Sequence, residues 1–143
     1  MSDSVANEKL NQILIRLLRN LSQYAVESWV WSSESQVAER SVVGRIVTEQ
    51  QRSVGRLADL LAARACNIEF GTYPTEFTDL HYVSLDFLRS QLIADQAGLV
   101  GELEQCQRVL SGDSKASALL TEIATEERQH LQQLRDAGVK AAA

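Results

Sequence analysis

The sequence predicts an all-α fold, a bundle of four long helices, on three observations. The 143-residue chain holds one proline and seven glycines, residues that strands and tight turns consume and that long helices exclude. Leucine-rich stretches carry apolar residues on an alternating four-and-three spacing, which draws a single seam along a helix. Between these stretches lie two short polar breaks and one long one, the spacing of a bundle with two tight turns and one crossover. At 15.9 kDa the chain is sized for one domain, residues 1–143, around one core.

The first helix is expected from about Ala6 to Trp31, with Leu10, Leu14, Leu17, Leu21, Tyr24, Ser28 and Trp31 along its seam. Ser32, Ser33, Glu34 and Ser35 favour a turn and an N-cap, and a second helix is expected from about Gln36 to Cys66. Residues 67–78 contain Pro74 and show no sustained period, so they read as a long connection. A third helix, from about Asp79 to Leu110, places His81, Leu85, Leu88, Leu92, Asp95, Leu99, Glu102, Cys106 and Val109 on its seam. Ser111-Gly112-Asp113 then offers a stop and a new cap. The fourth helix, from about Ser114 to Asp136, carries Ala116, Leu120, Ile123, Glu127, His130 and Leu134, with Gly138 closing it and residues 139–143 as a frayed tail.

Charge narrows the partners. Lys and Arg number 14 against 19 Asp and Glu, for a net charge of -5, which repels phosphate backbones and anionic lipid and argues against nucleic-acid and membrane partners. No apolar run approaches the roughly 20 residues that span a bilayer and no secretory pattern opens the chain, so a cytoplasmic protein is expected. Cys66 and Cys106 form no Cys-x-x-Cys pair and read as thiols of a reducing compartment without a role.

The chemistry lies in charges that interrupt the seams. A buried carboxylate without a partner costs several kcal/mol or takes up a proton. Yet Asp95 stands among Leu88, Leu92 and Leu99, and Glu127 and His130 interrupt Leu120, Ile123 and Leu134. On the second helix Glu49 and Arg52 share a face with Val42, Ile46 and Leu60. All lie near mid-length and are expected to converge. The plain alternative for residues 126–130 is a solvated charged stretch on a helix surface.

These residues carry a resemblance. Leu10-Asn11-x-x-Leu14-x-x-Leu17-Leu18-x-x-x-x-Gln23-Tyr24, Leu88-Arg89-Ser90 followed by Asp95, Glu49-x-x-Arg52 and Glu127-x-x-His130 together resemble the ferritin-like superfamily, bacterioferritin most closely. The resemblance covers roughly the whole chain and implies an up-down-down-up four-helix bundle with its long crossover between the second and third helices. In that family one iron is held by a Glu of the first helix with the Glu-x-x-His of the second, the other by a Glu of the third with the Glu-x-x-His of the fourth. Carried over, the first site has lost its own ligands, because Leu17 stands at the Glu position and Arg52 at the His position. Arginine keeps its proton and cannot bind a metal. The resemblance leaves Glu49, Asp95, Glu127 and His130 as metal ligands, Arg52 as an internal counter-charge and Tyr24 as a donor to Asp95.

The set implies at most one divalent cation, iron or manganese, with zinc also compatible with such a donor set. Ferroxidase chemistry, which draws electrons from two irons, is then expected to be weak or absent. Haem is not expected, since the family's haem methionine position is Gln50 and the only methionine is Met1. The resemblance also implies a homodimer or higher homo-oligomer, and an iron-storage shell ranks lowest because no short fifth helix is foreseen. The competing expectation is a metal-free bundle whose buried salt-bridge network is structural and whose function is an interaction.

Overall fold

The computed structural model describes residues 3–29, 31, 34–82 and 84–142. Among these the chain is all-helical: α1 (Asp3–Leu18), α2 (Leu21–Ser28), α3 (Glu34–Ala63), a 3-10 helix (Thr75–Tyr82), α4 (Leu85–Val109) and α5 (Ser114–Ala142). No helix among them is long and apolar enough to cross a membrane.

The expected first helix is two helices. α1 stops at Leu18 and the chain bends at Arg19 and Asn20 before α2 begins. Asn20 is the reason that the bend holds. Its backbone is extended and its side-chain oxygen accepts from the Gln23 N–H at 3.1 Å, an N-cap inside what the apolar period reads as continuous helix. The Ser32-Ser33 break lies outside the described residues. α3 ends at Ala63, where Ala65 takes a left-handed φ of 55° and lets the Cys66 N–H reach back to the Leu61 carbonyl at 3.1 Å.

Two further boundaries move. The third helix begins at Leu85, capped by Ser84 (Phe87 N to Ser84 Oγ, 3.2 Å), because residues 75–82 wind as a 3-10 helix. His81 therefore belongs to the crossover and not to α4. α5 runs to Ala142, so Gly138 does not close it and the alanine-rich end is helical. Asp113 starts α5, accepting from Ala116 N at 3.2 Å while Arg64 clamps both its oxygens at 2.8 Å. That guanidinium holds the Asp113 carboxyl below the usual range.

α1 and α2 pack on α3 and α4, and α5 packs on the same two. The core is divided. One apolar cluster joins Leu10, Leu14 and Leu17 of α1 with Leu57 and Leu61, Leu99 and Leu103, and Leu120 and Ile123. The other joins Leu21 and Val26 of α2 with Val43 and Ile46, Leu88 and Leu92, and Leu134. Leu17 is fully buried in the first.

The crossover is tied to α1 and α2. Asn11 accepts from the Glu69 N–H (2.9 Å) and donates to its carbonyl (2.8 Å), and Arg19 donates to the Phe70 carbonyl at 3.1 Å. Gly71, at φ 64°, passes so near Ile15 that a Cβ would sit 2.7 Å from its methyl. Beyond it, Tyr73 and Phe77 pack their rings against Tyr24 at centroid distances of 5.3 and 5.6 Å.

Candidate functional site

Between the two apolar clusters lies a belt of polar side chains, supplied by the α1–α2 bend, α3, α4 and α5. Its centre is Glu127, fully buried on α5. One oxygen, Oε1, accepts from Gln50 Nε2 at 2.8 Å and from Gln96 Nε2 at 2.9 Å, and Gln96 also donates to the Glu127 carbonyl at 3.0 Å. Gln50 is held in turn: its Oε1 accepts from Asn20 Nδ2 at 2.9 Å and Gln23 Nε2 at 3.1 Å. Gln23 also donates to the Val47 carbonyl at 3.2 Å and accepts from Gln51 at 3.2 Å. Two buried amides thus bond one carboxylate and two more, Asn20 and Gln23, hold Gln50 in place, as a buried polar network requires.

The other oxygen of Glu127, Oε2, lies 3.0 Å from His130 Nδ1, within ion-pair reach though off the line of a hydrogen bond. His130 Nε2 lies 2.7 Å from Glu49 Oε2. His130 is 1% exposed while the Glu49 side chain is 35% exposed, so Glu49 leads from the buried ring to solvent. Burial works against a charged ring, but Glu127 and Glu49 outweigh it and hold the His130 pKa above its ordinary value. Only the imidazolium carries an N–H on both nitrogens and so suits a carboxylate on either side. Protonated, His130 is the countercharge of buried Glu127.

This redistributes the expected site. Glu49, Glu127 and His130 do meet. Asp95 does not join them. It faces Arg16, which reaches Oδ1 at 3.0 Å, Oδ2 at 3.4 Å and the Asp95 carbonyl at 3.0 Å, while Oδ2 accepts the free N–H of Leu21 at 2.8 Å. Asp95 is thus an N-terminal anchor for α2, supplied from another helix. Arg52 is exposed and not the internal charge. Tyr24 sits in the aromatic cluster on the crossover.

The physical reason is helical rotation. Neighbouring residues on a helix are turned by about 100°, so Gln50 and Ser53 face the interior where Glu49 and Arg52 were expected to, and Gln96 faces it beside Asp95. Gln50, Ser53 and Gln96 are 0%, 1% and 2% exposed. Ser53 donates to Glu126 Oε2 at 3.1 Å, and Arg56 pairs with Glu126 and with Glu122. Sequence reasoning missed these residues, and Gln50 entered it only as the seat of a lost haem ligand. A usable signal was present: Gln50 and Ser53 fall three or four residues from the fully buried Ile46 and Leu57.

A metal ion needs lone pairs aimed at one point. Here the Gln50 and Gln96 amides aim N–H groups at Glu127, and His130 Nε2 is taken by Glu49 while Nδ1 stands 3.0 Å from Glu127 Oε2. Among the described residues no group of three or more His, Cys, Asp or Glu side chains is placed to hold a metal ion. The donor set does not fit a di-iron centre. No family model, curated protein or solved structure matches the chain.

Proposed function

We propose that this chain is a ferritin-like bundle whose interior is closed by its own side chains, and that it acts as a structural or interaction protein in a homodimer or higher homo-oligomer. The single observation behind the closed interior is the Glu127 carboxylate, which takes two amide N–H groups on one oxygen and an imidazole beside the other. The ferritin-like part is supported by the order of contacts. The first strand of the bundle passes the Leu14 cluster and then the Val26 cluster, α3 and α4 both pass them in reverse, and α5 passes them in the first order. That order supports an up-down-down-up course. On this reading the family's second-helix Glu-x-x-His falls on Gln50-x-x-Ser53 and its third-helix Glu on Gln96, so carboxylates have become amides and only Glu127 and His130 keep their identity.

A second reading, one iron or manganese ion per subunit with weak or no ferroxidase activity, draws support from the Glu127 Oε2 and His130 Nδ1 pair, close together and without a hydrogen bond. Elemental analysis and Fe(II) or Mn(II) titration of untagged protein separate the two. The closed interior is expected to take up no stoichiometric metal and to consume no dioxygen with Fe(II), whereas Gln50→Glu with Gln96→Glu is expected to gain divalent-cation binding. Tight uptake of one equivalent by the unaltered protein overturns the first reading in favour of the second.

A further inference from the structure

Away from the belt, α1 and α4 part to leave a surface groove of about 490 Å³, within the usual range of small-molecule sites. Ile13 and Val109 line it with apolar surface, and the buried Cys106 thiol lies on its floor. Its α4 wall is open because of Gly98 and Gly101. Gly98 has a local reason: a Cβ there would press at 3.4 Å on the Arg16 guanidinium, which crosses at that point to the Asp95 carbonyl. Gly101 has none. A Cβ on it would meet nothing within 4 Å, although glycine weakens the interior of a helix. The gap it leaves is unused by the described residues.

The charges around the groove are unequal. Arg16 and Glu102 neutralise each other at 2.6 Å and stopper one end together with Asp95. Lys9, on the same face of α1 as Ile13 and Arg16, has no hydrogen bond or ion pair among the described residues, and its ammonium lies near enough to Cys106 to oppose the upward push of burial on that thiol. From Lys9 to Arg16 is seven residues, roughly 10 Å of helix. We propose that the α1–α4 groove binds a small amphiphilic carboxylic acid, its carboxylate on Lys9 and its hydrocarbon chain lying over Gly101 between Ile13 and Val109. The apolar floor favours a hydrocarbon body, the unpaired Lys9 at the rim favours an anionic head, and Arg16 with Glu102 and Asp95 leaves the closed end at -1, so the carboxylate belongs at the Lys9 end.

The test uses the full chain and octanoate as the probe, followed by amide chemical shifts and calorimetry, with octylamine as the charge-reversed control. Saturable one-to-one binding of octanoate is expected, with shifts confined to the groove. Gly101→Leu fills the gap and is expected to abolish binding while its circular dichroism and melting curve show an intact bundle. Lys9→Ala is expected to weaken it about two- to fivefold, the scale of one exposed ion pair. Absence of saturation at millimolar octanoate, unchanged binding in folded Gly101→Leu, or octylamine binding as well as octanoate each overturns the proposal.

Discussion

Two ion-paired groups occupy the middle of this bundle and are built in opposite ways. Glu127 and His130 are sealed between helices, with buried amides completing the coordination of the carboxylate. Asp95 and Arg16 sit at the surface of the α1–α4 contact, with side chains 21% and 25% exposed, and they share their hydrogen bonds with backbone and with Glu102. The sequence suggests one group and the structure contains two. The difference teaches that location decides what a charge does: a sealed pair must be complete, because either partner alone is an uncompensated buried ion, whereas a pair open to water can lose a partner and be solvated.

The largest expected effect follows from that contrast. His130→Ala strips Glu127 of its countercharge and is expected to cost about 3–5 kcal/mol in urea unfolding, or to be offset by protonation of Glu127. Asp95→Ala is expected to cost only about 1 kcal/mol, the scale of a lost helix anchor and a partly exposed pair. Equal losses in the two variants break the comparison. Between them falls Gln96→Leu, which removes an amide donor from Glu127 and is expected to cost about 1–3 kcal/mol.

The fold was largely legible in the sequence, and the site only in part. Leucine spacing located the long helices because buried apolar residues must recur with the helical turn. It could not foresee the bend at Asn20, since Leu17, Leu21 and Tyr24 keep the period across it and the cap depends on one side-chain oxygen. The same spacing is blind to which of two adjacent polar residues faces in. Glu49 beside Gln50 and Asp95 beside Gln96 were each resolved towards the charged member, and in both pairs the amide is the buried one. Desolvation explains the choice: a neutral amide needs only hydrogen bonds, which Gln50 and Gln96 obtain from each other and from Glu127. Glu127 and His130 were found although Glu126, Arg128 and Gln129 lie beside them, because they continue the Leu120, Ile123 and Leu134 seam.

Smaller effects sharpen the same contrast. Because the folded pKa of His130 is raised, its contribution to stability is complete below the unfolded value and is lost as pH rises through the folded one. Urea midpoints taken at increasing pH above neutrality are expected to fall in the unaltered protein and to show a weaker decline in His130→Gln. Arg52→Ala, at an exposed position, is expected to change stability by no more than about 0.5 kcal/mol. A loss of several kcal/mol there would restore it as an interior countercharge.

The most direct measurement is the protonation state of His130 in metal-stripped protein, read from its ring nitrogens by NMR and assigned against His81→Gln, since the chain has two histidines. Protons on both nitrogens at neutral pH, unchanged on adding one equivalent of diamagnetic Zn(II), are the result expected of an interior completed by its own side chains. A neutral ring with one bare nitrogen that shifts on adding one equivalent of Zn(II) would contradict it.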